Sequence, residues 1–203
     1  MRKSLLILII FGLFFTTNLQ SEENSVLNIG EDDFYIGEPD APITIIEYAS
    51  MSCSHCADFH NNTLEDLKTE YIDTGKVRFV FRDFPFNYPA LAGSMMVRCV
   101  PSNVRYEYMS ALYKLQKSWV IRDNAKTRAE LYKIMQSGGM QKTEFDECLS
   151  NVDLENNLLE GVMNAQREFK IRSTPSFIIN GVLYSGNKNI KEFRQIIDKI
   201  LSQ

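Results

Sequence analysis

The strongest structural signal in the chain is the run Ile43-Thr44-Ile45-Ile46-Glu47-Tyr48-Ala49-Ser50-Met51-Ser52-Cys53-Ser54-His55-Cys56. Its first six residues are mostly apolar and β-branched, which predicts a strand buried on both faces. A helical pattern follows over residues 53–71, and residues 77–81 predict a second strand. A strand, a helix and a strand within about 40 residues form a βαβ unit, so these two strands should pair in parallel.

Two cysteines stand where the predicted strand gives way to the helix, Cys53 and Cys56. The N-terminus of a helix presents free N–H groups and positive partial charge, which stabilise a thiolate. We therefore expect Cys53 to be the partly exposed, attacking sulfur, and Cys56, one turn later, to be shielded and to resolve the mixed disulfide. His55 can add positive charge or a hydrogen bond to the Cys53 thiolate.

Two other interpretations of this Cys-x-x-Cys motif are a zinc site and an inert structural disulfide. Zinc would need His60 as a third ligand and Cys99 or Cys148 as a fourth. The chain contains no second motif of paired ligands, and His60 alone is expected on the helix surface. A structural disulfide in so short a loop would be strained. We therefore expect neither a metal nor an organic cofactor.

The pattern changes to a helical one over residues 89–170. Apolar residues recur there every three or four positions, as in Tyr108, Leu112 and Leu115, and no convincing strand is visible. This pattern predicts a helical domain, residues 89–170, inserted into an α/β domain built from residues 21–88 and 171–203.

The sheet pattern resumes after the helical insertion. Residues 176–179 and 182–184 predict two strands, joined by the tight hairpin turn Asn180-Gly181. Residues 190–201 then place isoleucine, leucine and phenylalanine on one face and predict a final amphipathic helix.

The dipeptide Thr174-Pro175 comes directly before a predicted strand, where proline is tolerated. A cis bond there would expose the Thr174 backbone for pairing with an extended peptide, although trans is the default for such bonds. Four features of the chain matter together: the strand, the Cys-Ser-His-Cys helix, the helical insertion and the run Thr-Pro-Ser-Phe-Ile-Ile-Asn-Gly that begins at Thr174. In this combination the chain resembles the DsbA family of periplasmic disulfide oxidoreductases. The resemblance covers roughly residues 30–201.

The resemblance implies a thioredoxin-like fold with an inserted helical domain. It implies that Cys53 is the nucleophile and that Pro175 is cis and faces the cysteine pair. It also implies reoxidation by a membrane quinone-linked partner of the DsbB type. The family most often carries Pro-His between its cysteines, whereas this chain has Ser54-His55, which leaves its oxidising strength open. Thr174 occurs in several branches and does not settle the direction of the reaction.

Glu47 is an acid inside an apolar strand, which is costly unless the acid has a role. It stands where the family carries a buried acid that assists proton movement near the resolving cysteine. The alternative is a carboxylate that leans out at the end of the strand.

Cys99 and Cys148 both lie in the predicted helical insertion. We expect a second disulfide that ties this domain together, since a few members of the family carry an extra cysteine pair. Two buried free thiols are the alternative.

The N-terminal residues 1–20 have the three-part layout of a secretory signal peptide, with Arg2 and Lys3 before the apolar run 5–15. Cleavage is expected near Gln20 or Ser21, and an uncleaved anchor is the alternative. Removing these residues changes the formal charge from 22 − 26 = −4 to 20 − 26 = −6. So acidic a domain, without a basic cluster, is a poor binder of nucleic acid.

The sequence therefore predicts a monomeric, periplasmic enzyme that donates disulfide bonds to reduced, unfolded exported proteins through Cys53 and Cys56. One rival is an isomerase or reductase that uses the same residues, which usually dimerises. We see no separate dimerisation domain before Ile43. The other rival is a chaperone or binding module on a thioredoxin-like scaffold, whose function would survive Cys53→Ala.

Overall fold

A computed structural model describes residues 29–30 and 33–203 of the chain. The predicted signal peptide, residues 1–20, lies outside the described residues. The strands are β1 (Phe34–Ile36), β2 (Ile43–Ala49), β3 (Val77–Asp83), β4 (Ser176–Ile179) and β5 (Val182–Ser185). The helices are α1 (Ser54–Asn62), α2 (Leu64–Leu67), α3 (Tyr88–Cys99), α4 (Arg105–Lys114), α5 (Gln116–Trp119), α6 (Asn124–Ser137), α7 (Lys142–Leu149), α8 (Val152–Glu168) and α9 (Ile190–Leu201).

The five strands form one mixed sheet in the order β1-β3-β2-β4-β5. β2 pairs in parallel with β3, as the βαβ pattern predicts, and antiparallel with β4. β1 and β5 close the two edges in antiparallel pairs. All seven residues of β2 are buried, because β2 is the central strand and is covered on both faces.

The first strand was not predicted, because three residues are too short to show a periodic pattern. Phe34 holds it in place by stacking on Phe81 of β3, with ring centroids 4.9 Å apart. Gly37 ends the strand with a φ of +92°, and a side chain there would come within 2.4 Å of the Val77 carbonyl oxygen. Only glycine fits this turn.

The predicted helix over residues 53–71 is divided in the structure. α1 ends at Asn62, α2 follows after Thr63, and a π-helical turn covers Lys68–Ile72. Leu64 and Leu67, which follow the division, are buried together with Phe59 of α1. These three side chains join the larger of the two apolar clusters.

Six helices, α3 to α8, lie between β3 and β4, and no strand interrupts this fully described stretch. Trp119 is completely buried among them and donates a hydrogen bond from its indole nitrogen to the Leu112 carbonyl, 2.8 Å away. A disulfide joins Cys99, at the end of α3, to Cys148 in α7. None of the helices in the described part of the chain is long and apolar enough to cross a membrane.

Candidate active site

The cysteine motif lies at the carboxyl end of β2, where the chain turns into α1. Cys53 caps this helix: its backbone is extended, and its carbonyl accepts the Ala57 N–H at 3.0 Å. Its sulfur accepts the backbone N–H of Cys56 at 3.4 Å. The helix N-terminus therefore points free N–H groups at the Cys53 sulfur, as the sequence predicts.

Thr174 lies directly against the cysteine motif, although it is more than a hundred residues away in sequence. The Thr174-Pro175 bond is cis, and the Thr174 carbonyl oxygen lies 3.3 Å from the Cys53 sulfur. β4, which begins at Ser176, pairs with β2 and so fixes this loop beside the start of α1.

The two sulfurs have opposite environments. Cys53 is partly exposed, whereas Cys56 is fully buried. A hydrogen bond from the Cys56 thiol lowers the pKa of Cys53 to about 5, with further contributions from the Thr174 side chain and from the Cys56 and His55 backbone N–H groups. Burial raises the pKa of Cys56 far above its usual value, and the hydrogen bond to Cys53 and the charge of Glu47 raise it further. At neutral pH the reduced pair therefore holds its negative charge on Cys53.

His55 and Ser54, between the two cysteines, are both exposed. The described residues contain no side-chain hydrogen bond to the His55 ring. His55 acts on the Cys53 sulfur through its backbone N–H, which helps to lower the pKa of Cys53. The chain has Ser54 where the resembled family most often has proline, so a further backbone N–H is present at the start of the helix.

Glu47 is completely buried in β2, opposite Phe81 of β3 and Phe177 of β4. It does not lean out at the end of the strand. Its partner is His60 in α1, whose Nε2 lies 2.9 Å from Glu47 Oε2. The prediction that His60 lies on the helix surface is wrong, since its side chain is only 2% exposed. The 3.6-residue repeat of α1 turns His60 inward, towards the sheet.

The zinc interpretation loses its remaining ligands in this structure. Cys99 and Cys148 are bonded to each other and cannot bind a metal as thiolates. His60 is paired with Glu47. Within the described residues, no group of three or more histidine, cysteine or acidic side chains is placed to hold a metal ion.

Gln116 is a residue of the site that sequence analysis did not identify. It is buried in α5, and its amide nitrogen donates hydrogen bonds to the carbonyls of Met51 and Cys53, each at 2.9 Å. These bonds fasten the loop between β2 and α1 to the helical segment. No sequence signal marks Gln116, because its partners are more than sixty residues away.

Comparison with known proteins agrees with this geometry. A family model described as thioredoxin matches residues 30–199. A putative protein-disulfide oxidoreductase of Rickettsia bellii is 32% identical over 176 residues, which are 86% of this chain and 67% of that protein. The crystal structure of Wolbachia pipientis alpha-DsbA1 superimposes with a TM-score of 0.82 at 29% identity, covering 89% of this chain and 96% of that one.

The Rickettsia relatives are longer than this chain, which spans between 62% and 67% of their length. A probable disulfide bond formation protein D of Bacillus cereus is 26% identical and is covered over 78% of its length. The BdbD protein of Bacillus subtilis, at 18% identity and a TM-score of 0.74, shares the fold. The family match, the relatives and the fold together show that the chain belongs to the thioredoxin family, and within it to the DsbA-like thiol:disulfide oxidoreductases.

Proposed function

We propose that this protein donates disulfide bonds to reduced, unfolded exported proteins, through a Cys53–Cys56 disulfide that it gives up in the process. The observation that carries the proposal is the contrast between the two sulfurs: Cys53 is accessible with a pKa lowered to about 5, and Cys56 is buried. Stabilising the Cys53 thiolate stabilises the reduced enzyme, and a stable reduced form makes its disulfide a stronger oxidant.

The reaction needs two thiol–disulfide exchanges: Cys53 is attacked in the first and is the leaving group in the second. A substrate thiolate attacks Cys53, the Cys53–Cys56 bond breaks, and the electron pair passes to Cys56. A second substrate thiolate then attacks the substrate sulfur of the mixed disulfide. The substrate leaves with its own disulfide, and Cys53 leaves as a thiolate. The enzyme gains two electrons and needs no bound metal or organic cofactor.

The loop at Thr174-Pro175 is the proposed site for the substrate backbone. Its position, with the Thr174 carbonyl 3.3 Å from the Cys53 sulfur, supports this role. An extended peptide that pairs with this loop would bring its cysteine to Cys53. Unfolded chains supply such peptides, whereas folded proteins rarely do.

We also propose where the protein acts, how its chain divides into domains and what reoxidises it. Residues 1–20 direct export to the periplasm, residues 21–88 and 171–203 form the redox domain, and residues 89–170 form the inserted helical domain. The protein acts as a monomer and is reoxidised by a membrane quinone-linked enzyme of the DsbB type. The signal-like pattern of the N-terminus and the resemblance to the DsbA family support these assignments.

Disulfide transfer to a defined substrate tests the proposal. The oxidised protein is mixed with a reduced, unstructured peptide that contains two cysteines, and mass spectrometry follows both partners. We expect one peptide disulfide for each reduced enzyme, and no transfer by Cys53→Ser or by Cys56→Ser, because neither variant can form the Cys53–Cys56 disulfide. The variant with both Cys99→Ala and Cys148→Ala should still transfer, which assigns the activity to the first pair.

Two results would contradict this function. Equal peptide oxidation by Cys53→Ser and the wild-type protein would remove Cys53 from the reaction. A protein that rearranges the disulfides of a mispaired substrate, but leaves the reduced peptide unoxidised, would instead be an isomerase.

A further inference from the structure

The loop between β2 and α1, residues 50–53, carries the attacking sulfur. Its backbone closes one turn, in which the Cys53 N–H donates to the Ser50 carbonyl at 3.0 Å. The Met51 carbonyl takes no backbone N–H from the described residues and is bonded there only to the Gln116 amide. This bond is buried, so the carbonyl would otherwise lack a partner away from water. Gln116 therefore completes the hydrogen bonding of the loop.

The Gln116 amide nitrogen carries two N–H groups, and the loop offers it two acceptors. These are the carbonyl oxygens of Met51 and Cys53, each at 2.9 Å. Because both partners can only accept, the nitrogen of the amide must face them and the oxygen must not. A side chain that gives both of its donors to one loop holds that loop at two points, two residues apart.

The helix that carries Gln116, α5, is itself held firmly in the helical segment between β3 and β4. Trp119, three residues later, is fully buried, and its indole nitrogen donates to the Leu112 carbonyl at 2.8 Å. The Trp119 ring and the Met51 side chain both lie against Gly93 of α3, where an added Cβ would be 2.7 Å from the ring and 2.9 Å from Met51 Cβ. Gln116 therefore ties the loop to a rigid part of the molecule.

The position of the loop matters because the contacts of the Cys53 sulfur depend on distance. The sulfur lies 3.4 Å from the Cys56 backbone nitrogen and 3.3 Å from the Thr174 carbonyl oxygen. Hydrogen bonds weaken steeply as they lengthen or bend. Without Gln116, the Cys53 carbonyl would keep its bond from the Ala57 N–H, so α1 could still begin at Ser54. The loop, however, would lose both of these bonds to the helical segment.

We propose that Gln116 is a positioning residue of the disulfide exchange, whose two hydrogen bonds hold the Cys53 sulfur in its reactive place between the start of α1 and Thr174. This inference rests on the proposed function, in which Cys53 is the sulfur that substrate attacks. Gln116 itself exchanges no proton or electron and forms no covalent bond. It acts through the Met51 and Cys53 carbonyls, and it makes the reactivity of Cys53 depend on the helical segment.

Loss of the two hydrogen bonds should weaken the reaction in two ways. A loop that is free to shift places Cys53 less often where an attacking thiolate can reach it in line, so the exchange becomes slower. The sulfur also spends less time near the N–H groups of Cys56 and His55 that stabilise its thiolate. A less stable thiolate makes the reduced form less favourable, so the Cys53–Cys56 disulfide becomes a weaker oxidant.

The test compares three variants with the wild-type protein. Gln116→Met keeps the length of the side chain and removes both donors. Gln116→Glu keeps the shape but, when ionised, turns an acceptor towards two carbonyl oxygens. Gln166→Met makes the first change at an exposed position of α8 and is the control.

Three properties are measured for each protein. They are the rate at which glutathione reduces the oxidised form at neutral pH, the redox equilibrium in a fixed glutathione buffer, and the alkylation of Cys53 by iodoacetamide against pH. Urea denaturation of each variant gives its free energy of unfolding. Cys56 and His55, the titratable neighbours of Cys53 on α1, are the same in Gln116→Met and the wild-type protein, so a change in the alkylation midpoint reports on position.

We expect glutathione to reduce Gln116→Met about 10-fold more slowly than the wild-type protein, because small displacements of reacting atoms lower rates by such factors. The alkylation midpoint should rise by about one pH unit, and the ratio of reduced to oxidised protein in the fixed buffer should fall about 10-fold with it. Gln116→Glu should change all three properties further in the same direction. Gln166→Met should match the wild-type protein.

A measurement on the wild-type protein needs no variant. NMR follows the exchange of the two side-chain amide protons of Gln116 with solvent. Because both protons are hydrogen-bonded to carbonyls of the loop, they should exchange about 10-fold or more slowly than those of the exposed Gln166.

Two results would overturn the positioning role. One is a Gln116→Met protein that is less stable to urea but keeps the wild-type rate, equilibrium and alkylation midpoint, which would make the role of Gln116 purely structural. The other is exchange of the Gln116 amide protons as fast as those of Gln166. Failure of the proposed function is a separate result, since it would leave the reduced peptide unoxidised by the wild-type protein. The ratio of the glutathione rates of Gln116→Met and the wild-type protein would still decide the role of Gln116.

Discussion

Cys53 and Cys56 differ in reactivity because the fold gives them different surroundings, although they are three residues apart. The hydrogen bond from the Cys56 thiol is the largest single cause of the low pKa of Cys53, ahead of the Thr174 side chain and the backbone N–H groups. The buried sulfur therefore helps to activate the exposed one, besides its proposed role in resolving the mixed disulfide.

This dependence predicts different results for two replacements of Cys56. Cys56→Ala should raise the pKa of Cys53 clearly above about 5, because the donor is lost. Cys56→Ser should raise it less, because a hydroxyl group still donates. The thiolate absorbance at 240 nm, followed against pH, measures both values. Equal midpoints for the two variants would show that a hydrogen-bond donor at position 56 does not set the pKa of Cys53.

The lowered pKa of Cys53 also predicts how the stability of the reduced protein depends on pH. A folded-state pKa below the unfolded one stabilises the fold above the unfolded pKa, and this stabilisation is lost as the pH falls through about 5. The reduced form should therefore gain stability over the oxidised form between pH 5 and about 8.5, by at most about 1.4 kcal/mol per pH unit. The gain should be smaller in practice because Cys53 is partly exposed.

Urea unfolding of both redox forms at several pH values measures this difference, with Cys53→Ser as the reference that cannot ionise. A stability difference that stays constant between pH 5 and 8.5 would contradict the low pKa.

Among single residues, the sequence predicts those functional side chains whose place follows from a local secondary-structure pattern. The cysteine motif and the buried acid Glu47 could be predicted, because a buried strand running into a helix is visible in the sequence. His60 and Gln116 could not. Their roles depend on partners across the fold: Glu47 on β2 for His60, and the carbonyls of Met51 and Cys53 for Gln116.

Among the elements, α3 packs against the loop between β2 and α1, which carries Cys53 and is called the active-site loop below. Gly93 lies where α3 passes the loop, and a Cβ atom there would be 2.7 Å from the Trp119 ring and 2.9 Å from Met51 Cβ. Met51 is buried at the start of the loop that carries Cys53. The shape of the active-site loop therefore depends on the absence of a side chain on α3.

Gly93→Ala should destabilise the protein by about 1–3 kcal/mol, because it overpacks this contact. Gly161 provides the matched control: it lies in the middle of α8, is exposed, and has no atom within 4 Å of an added Cβ. Gly161→Ala should stabilise the protein by about 0.5–1 kcal/mol, because alanine favours the helix. Urea denaturation gives both values, and a loss of stability in Gly161→Ala equal to that in Gly93→Ala would refute the packing argument.

The elements could be predicted where their hydrophobic repeat is long. The amphipathic pattern of residues 190–201 predicts α9 over the residues that form it, and the Asn-Gly turn locates β4 and β5. β1 and the division of the first helix at Thr63 could not be predicted. Three residues carry no repeat, and no proline or glycine in the sequence marks the break at Thr63.

The whole molecule combines a five-stranded sheet with a long helical segment between β3 and β4. A disulfide holds that segment together. The disulfide joins Cys99 at the end of α3 to Cys148 in α7, which are 49 residues apart in sequence, and so closes a long loop. It lies in the helical segment, whereas Cys53 and Cys56 lie where β2 meets α1. We therefore expect this bond to serve stability and leave thiol exchange to the first pair.

Replacing both cysteines, Cys99→Ala together with Cys148→Ala, should lower the free energy of unfolding by up to about 4 kcal/mol, as loop-closure entropy predicts for a loop of this length. Denaturation of the oxidised variant and the oxidised wild-type protein compares the two values. Equal stabilities would contradict this entropic account of the bond.

The redox equilibrium of the Cys53–Cys56 pair with glutathione tests whether this protein donates disulfide bonds. A disulfide donor should have an oxidising pair, with a reduction potential above about −180 mV, and a reduced form that is more stable to unfolding than the oxidised form. A potential near that of thioredoxin, about −270 mV, would instead identify a reductase. Ser54, which stands where the family most often has proline, would then be the first residue to replace.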